Sequence, residues 1–373
     1  MTGPGPHAVL AAAHHDEAAR EQFLVDLRRE VVRQARVDNR QVYETRVLPA
    51  FKKEHGRAPK DRHEIRKAML GDELGRTTSA LRVTQQEMKW DAVHETVTRQ
   101  YDDLQGRAHP HHARGTLRLD PDLALPRYLT AVDIHGMPGN YTGDRSAEDI
   151  FAGAIYDRGV FVRGMGMGGP YNDSFGRATV AYLKKAYPDF KPRRILDAGC
   201  SIGHSTLPFC AAYPKAEMHA IDLGAPMLRY GHARAESLGR TVHFSQQNAE
   251  ATDFPDNHFD LIIGMAMLHE TSTKAIANVF RDHYRILAPG GLCLHFEGPP
   301  WDRIPDFDAA VHDWDTHFNA EPFIGKMHDL DPKKLVVGAG FAPANYIDTY
   351  VPAGFKGTSG SLGGDIWLFG GRK

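Results

Sequence analysis

The sequence predicts an α/β fold preceded by a helical N-terminal part, and three features carry that expectation. Residues 194–206, Arg-Ile-Leu-Asp-Ala-Gly-Cys-Ser-Ile-Gly-His-Ser-Thr, read as a buried strand, a tight glycine turn and the start of a helix. Short apolar strands follow at 218–222, 242–244, 259–264 and 291–297. Residues 16–107, in contrast, repeat apolar side chains at helical spacing.

Within the first strand and turn, Ile195 and Leu196 end the buried run, Asp197 closes it, and Gly199 and Gly203 bracket the turn. Backbone N–H groups and a helix N-terminus then lie beside any ligand entering over the strand's carboxyl end. Gly199, Ser201 and Gly203 fall at every second position. Dinucleotide folds use Gly-x-Gly-x-x-Gly, whose third glycine packs the helix under a pyrophosphate. The loop here suits a less charged ligand. Asp222 ends the second strand and is placed to accept hydrogen bonds from ribose hydroxyls. After the third strand, Asn248-Ala249-Glu250 offers a polar side chain and a neighbouring N–H to an adenine edge. Leu-Ala-Pro-Gly-Gly at 287–291 ends a helix and turns the chain into the fifth strand.

At these residues the chain resembles the class I S-adenosylmethionine-dependent methyltransferases, particularly the small-molecule group that includes the quinone-biosynthesis enzymes. The resemblance covers about residues 170–373 and rests on Ile-Leu-Asp-Ala-Gly-Cys-Ser-Ile-Gly, Asp222, the run from Asn248 to Asp260, and Arg-Ile-Leu-Ala-Pro-Gly-Gly at 285–291. It implies a Rossmann-like sheet whose last strand is antiparallel, the final pair being matched by 344–351 and 365–369. It also implies S-adenosylmethionine as cofactor, held by Asp197, Gly199, Ser201, Gly203, Asp222, Leu223, Met227, Asn248, Ala249, Met265 and Tyr171. Two positions depart from the family pattern: Ser201 replaces the usual middle glycine, and Asn248 stands where an aspartate is common.

A chain of 373 residues has room for two domains, because a core of this kind takes about 200. We expect a helical accessory domain over 1–125, a linker and cofactor cover over 126–169, and the cofactor-binding domain over 170–373. A net charge of −2 argues against nucleic acid as a partner. Three cysteines, Cys200, Cys210 and Cys293, fall inside the expected core and read as reduced thiols of a cytoplasmic protein. No signal peptide or membrane span is expected. The 21 histidines include His14-His15 and a cluster at 109–112, but none has paired ligand spacing, so no metal is expected.

In the N-terminal part, Phe23, Leu24, Leu27, Val31 and Ala35 share one helical face, as do Val93, Val97, Tyr101 and Leu104. Breaks are expected at 56–59 and 71–78, and a surface linker over 108–145. Residues 20–67 carry 14 Lys and Arg against 8 Asp and Glu, read as a solvated basic face. These helices cover the core, close over substrate, or pair two copies into a homodimer. Residues 164–171 contain several glycines and are expected to be a mobile cover over the cofactor, ahead of a helix from about 172 to 186. Between the fifth strand and the final pair, Phe307, Ala310, Val311, Trp314 and Phe318 form an apolar helix face, while Asp306, Asp308, Asp313 and Asp315 form an acidic one. The acidic face reads as solvated, or as an attractor of a cationic substrate, and Trp301 and Trp314 read as packing residues.

Methyl transfer from a sulfonium is an in-line displacement with a neutral leaving group, so the protein's tasks are alignment and exclusion of water. A phenol, amine or acidic carbon must also lose a proton. His269, Glu270 and Glu297 lie at the carboxyl ends of the fourth and fifth strands and are the candidates for that work, with His269 the acceptor's base or orienting group. The expected function is S-adenosylmethionine-dependent methylation of a small molecule. A macromolecular methyltransferase and a non-catalytic cofactor-binding subunit are the alternatives.

Overall fold

The structure is a computed structural model that describes residues 3–109, 112–352 and 365–373. Eight strands form one sheet: β1 (Thr116–Arg118), β2 (Arg194–Ala198), β3 (Glu217–Asp222), β4 (His243–Gln246), β5 (Phe259–Met265), β6 (Leu287–Glu297), β7 (Tyr346–Pro352) and β8 (Asp365–Arg372). Their order is β1-β4-β3-β2-β5-β6-β8-β7. The first six run parallel, and β8 is antiparallel to both β6 and β7.

The central strands are continuous apolar runs because both faces are covered. In β2, Ile195 packs with Met218, Phe244 and Leu261 on one face, while Leu196 packs with Ile262, Val279 and Phe280 on the other. The order reverses at β2, with β3 on one side and β5 on the other. Ligands of open α/β sheets bind at such a reversal, beyond the carboxyl ends of the strands. This places the site before any side chain is considered.

The N-terminal residues build helices His15–Arg33, Leu48–His55, Arg62–Gly71, Glu73–Thr98 and Tyr101–Arg107. Two π-helical turns, Gln34–Asp38 and Tyr43–Val47, join the first two into a continuous helical run. The break expected at 71–78 is confined to Asp72, whose carboxylate accepts from Leu74 N and caps the next helix. Phe23 departs from the expected inward face and is 55% exposed, while Val25 is buried.

The N-terminal helices share a core with the rest of the chain: Val9, Trp90, Val93 and Val97 pack with Ile155, Ile202 and Tyr230. Arg158 binds Glu21 through Nε and Nη2 at 2.5 and 2.6 Å. The basic stretch is solvated only in part, with Arg29, Lys52 and Lys53 exposed while others turn inward, and of the four aspartates opposite it Asp306 is exposed and the other three are paired. Arg40 pairs with Asp308, Arg66 with Asp313 at 2.6 Å, and Arg82 with Asp315 at 3.7 Å. Asp313 is wholly buried. Trp301 and Trp314 are packing residues, stacked on His328 and under the Arg82 guanidinium respectively.

The range read as linker and cover also differs. β1, inside the range assigned to the helical domain, extends the sheet beside β4. Leu129, Ile134, Met137 and Tyr141 are buried, and Phe151–Arg163 is a helix with ten inward-facing residues. Its Gly153 and Gly159 face Tyr230 and Trp90, where a Cβ would collide with either ring. Small residues here allow close helix packing, which a reading of glycine as punctuation misses.

Candidate cofactor and acceptor site

A cavity of about 190 Å³ lies at the carboxyl ends of β2, β3 and β5. Asp197, Gly199, Ser201, Asp222, Leu223, Met227, Asn248, Ala249 and Met265 line it. Two of the expected residues do not. Gly203 sits within the turn, with φ +81° and its N–H bonded to Cys200 O, so it shapes the loop without forming the wall. Tyr171 lies against Gly5, its carbonyl accepting from Arg234 Nη2, and Asn172 takes its place in the wall.

The loop geometry follows from its residues. Gly199 has φ +72°, and a Cβ there would run into Met267 Cγ. Ser201 holds the left-handed conformation at φ +53°, which glycine adopts without strain and serine does not. Its N–H donates to Asp222 Oδ2 at 2.8 Å, and Gly224 N donates to Asp222 Oδ1 at 2.9 Å. These two bonds aim the Asp222 carboxylate into the cavity mouth. Asn248 Oδ1 is bonded to Glu250 N at 2.9 Å, an Asx turn that fixes the strand end.

Asp197 is almost fully buried, Oδ2 accepts from Thr206 Oγ1 at 2.6 Å, and Oδ1 has no partner. Burial, helped by the Asp222 charge, pushes its carboxyl up to about 7. Cys200 also lines the wall, but burial raises its thiol well above the usual range, so it is no nucleophile at neutral pH. The cavity thus presents Asp197, Asp222 and Glu270, with no lysine or arginine among its described lining residues. A donor set of this sign rejects a pyrophosphate. It fits a cofactor that carries an ammonium, a sulfonium and a ribose, and the orphaned Asp197 oxygen is an acceptor such an ammonium satisfies.

Tyr156, Val160, Phe175 and Ala266 line both this cavity and a larger one of about 380 Å³. His269 and Glu297 face the larger cavity, while Glu270 faces the smaller. His269 Nδ1 and Glu297 Oε2 are 2.5 Å apart, and Glu297 Oε1 also accepts from Leu268 N at 2.6 Å. Burial alone would lower the His269 pKa, but the Glu297 carboxylate, with Glu321 and Glu270 behind it, lifts it to about 10. This carboxylate surrounding favours the protonated imidazolium at neutral pH, which suits an orienting role for His269 better than that of a free base. Nε2 lies 3.8 Å from Glu321 Oε2, too long for a hydrogen bond, so that N–H remains available.

Several residues around the site went unread in the sequence. Glu321 is buried, meets His135 Nδ1 at 2.8 Å and Arg163 at 3.5 Å, and is held well below the usual carboxylate range by His135, Arg163 and His269 against the effect of burial. His135 itself has φ +58° and bridges Glu321 and Glu270. Tyr141 donates to Glu270 Oε1 at 2.8 Å, and burial with the Glu270 charge keeps its hydroxyl protonated. Tyr128, Tyr141 and Tyr156 all come from segments read as linker or cover. For Tyr156 the apolar spacing across 150–162 was the available signal.

Two clusters outside the site bring metal-ligating atoms together. In the first, His63, Asp313 and His317, Asp313 is also an ion-pair partner of Arg62 and Arg66, whose charges oppose a cation. In the second, His283, Cys293 and His295, the two imidazoles already pair at 3.2 Å. His111, in the histidine cluster at 109–112, lies outside the described residues.

A parallel sheet closed by an antiparallel edge, with an acidic cavity at its order reversal, defines the class I methyltransferase architecture. Comparison with known proteins agrees. A family model described as a methyltransferase domain matches residues 195–291. The chain is 32% identical to the ubiquinone/menaquinone biosynthesis C-methyltransferase of Pasteurella multocida, a match covering 42% of this chain and 65% of that one. The demethylmenaquinone methyltransferase of Thermus thermophilus is 35% identical over 33% of this chain and 53% of its own. The ubiquinone/menaquinone biosynthesis C-methyltransferase of Shewanella piezotolerans is 30% identical over 41% of this chain and 68% of its own. The chain spans about half to two thirds of the length of these curated relatives. It belongs to the class I S-adenosylmethionine-dependent methyltransferase family. Among the described residues no helix is long and apolar enough to cross a membrane.

Proposed function

We propose that the protein transfers a methyl group from S-adenosylmethionine to a small-molecule acceptor held in the larger cavity. One observation carries this reading: an acidic, arginine-free cavity at the order reversal of the sheet shares a wall with a larger cavity bearing the His269–Glu297 pair. Relatives named for quinone biosynthesis support an acceptor of small-molecule class.

S-adenosylmethionine bound in the smaller cavity supplies an electrophilic methyl group on a positively charged sulfur. Asp222 takes the ribose hydroxyls and Asp197 the ammonium. Tyr156, Val160 and Phe175 form the shared wall that keeps water from the reacting atoms. His269 donates from Nε2 to the acceptor atom and stabilises it as an anion, while Glu297 holds the ring through Nδ1. An imidazolium beside a phenol or enol lowers that group's pKa, so the acceptor gives up its proton to solvent water as it binds and is nucleophilic without His269 acting as base. Glu270 stays fixed by Tyr141 and His135 and shapes the cofactor wall.

A heat-stability comparison tests the class. S-adenosylmethionine and S-adenosylhomocysteine at about 100 times their dissociation constants should each add about 2.7 kcal/mol, and NAD nothing. Stabilisation by NAD with none by the other two would refute the proposal.

A further inference from the structure

The larger cavity holds a group of cations that methyl transfer does not require. Arg28 reaches it from the helix His15–Arg33, Arg36 from the π-helical turn Gln34–Asp38, and Arg82 from the helix Glu73–Thr98. All three come from the N-terminal part, whose role the family resemblance leaves open. Among the described residues, Asp315 is the one carboxylate within 4 Å of any of the three, at 3.7 Å from Arg82. Arg28 spends Nε on the Arg163 carbonyl and Nη1 on Gln85, neither of them an anion. Arg36 has no carboxylate partner among the described residues.

Such a group is costly. Burial and the neighbouring Arg163 push Arg28 down to about 10, and burial, with Arg36 adding, does the same to Arg82. Behind them Lys89 is buried, with no hydrogen-bond partner for Nζ. Unpaired cations in a poorly hydrated space destabilise the fold unless an anion joins them. A second observation points the same way: Ala35 and Arg36 lie in a π-helical turn and line the cavity. Such turns sacrifice regular helical bonding and recur at functional sites. Much of the remaining wall is apolar, including Val32, Val160, Phe296 and Trp367, and of its carboxylates Glu297 and Glu321 are engaged by His269 and His135, which leaves Asp315 beside Arg82 and Asp365 at the rim.

Resting on the methyltransferase reading, we infer that the acceptor is an oxyanion, an apolar molecule carrying a carboxylate or phosphate that Arg28, Arg36 and Arg82 bind in the larger cavity. Guanidinium forks match both groups in geometry and charge. His269 then addresses the reacting atom, and the arginines select the substrate by its charged end. The N-terminal helices become a specificity wall, with the Arg40–Asp308 and Arg66–Asp313 pairs fixing them to the insertion that carries Asp315.

The test uses the full-length chain saturated with S-adenosylhomocysteine and titrated calorimetrically with matched probes. Benzoate, 4-hydroxybenzoate, 2-naphthoate and octanoate are compared with their primary amides, and phenyl phosphate with phenol. Inorganic phosphate reports simple anion capture. At least one anion should bind about tenfold or more tighter than its neutral partner, and Arg36→Met should erase that preference while leaving S-adenosylhomocysteine affinity unchanged. Carboxylate pairs and the phosphate pair separate the two sources of charge. Arg28→Met and Arg82→Met should each reduce the preference, and Arg240→Met, outside the cavity, should not. Competition by sulfate on the unmodified protein gives the same answer should a variant fail to fold. Equal binding of anions and neutral partners across all pairs, absence of binding by every anion, or a preference that survives all three substitutions and sulfate would overturn the inference. Failure of S-adenosylhomocysteine to bind would count against the methyltransferase reading instead, and the same anion titrations without it would still decide the arginine site.

Discussion

Cofactor affinity should depend on pH through Asp197. Its carboxyl titrates at about 7 in the free protein, well above the usual 3.8, because it is buried with one oxygen unpartnered and Asp222 nearby. An ammonium placed against that carboxyl restores the ionised form, so binding must expel a proton wherever the free protein still holds one. If the bound value returns to about 3.8, the dissociation constant should rise about 50-fold between pH 7 and pH 5, equivalent to about 2.3 kcal/mol. At pH 6 the release should be about 0.9 proton per site. Asp222, whose carboxyl burial also raises, can only steepen the trend. The assay is calorimetry with S-adenosylhomocysteine at pH 5, 6 and 7 in buffers of different ionisation enthalpy. Asp197→Asn should flatten the profile. An unmodified protein whose affinity is constant from pH 5 to 7, with no buffer-dependent heat, would refute the assignment of Asp197 to the ammonium.

Further expectations concern the surroundings of the site. His269→Gln strands the buried Glu297 carboxylate and should cost roughly 3 to 5 kcal/mol by urea denaturation at neutral pH. The His269 pKa is raised on folding, so its contribution is complete below about 6.5 and lost as pH rises through about 10. The difference between the two proteins should narrow over that interval, and a constant difference would argue against an imidazolium. Turnover in the same variant should fall roughly 100-fold with cofactor affinity intact. Asp313→Asn removes the anion shared by Arg62 and Arg66 and should cost about 3 kcal/mol or more, with early loss of protection in the helix Arg62–Gly71. Residues 164–171 form successive turns anchored by the Gly5–Pro170 backbone bond, and hydrogen exchange should show added protection there with cofactor. Equal protection with and without it would remove any covering role.

The strands and the cofactor loop were legible because their signals are local. Ile195 and Leu196 are apolar on both faces, Asp197 follows at once, and Gly199 and Gly203 occupy backbone conformations that favour glycine. Asp222 and Ala249 were readable for the same reason, Asp222 ending a short apolar strand and Ala249 following another within three residues. The acceptor side was not legible. Glu321, His135 and Arg163 stand in unremarkable local sequence and meet only through packing of segments far apart in the chain. The charge of His269 depends on Glu297 and Glu321, which no residue adjacent to it reveals. Three aspartates of the acidic helix face, Asp308, Asp313 and Asp315, were misread as solvated because the arginines paired with them lie more than 200 residues away in the chain. Gly153 and Gly159 lie inside the range read as linker and cover, yet they sit in a buried helix and allow close contact with Tyr230 and Trp90.

The most direct test of the account is calorimetric titration of S-adenosylhomocysteine into the unmodified protein and into Asp222→Ala at pH 7. Asp222 is aimed by the N–H groups of Ser201 and Gly224, and its charge-assisted bonds to a ribose are worth roughly 1.5 to 3 kcal/mol. The account predicts one site per chain and an affinity roughly 10- to 100-fold weaker in the variant, with the fold unchanged by circular dichroism. No binding to the unmodified protein, or equal affinity in the two, would contradict it.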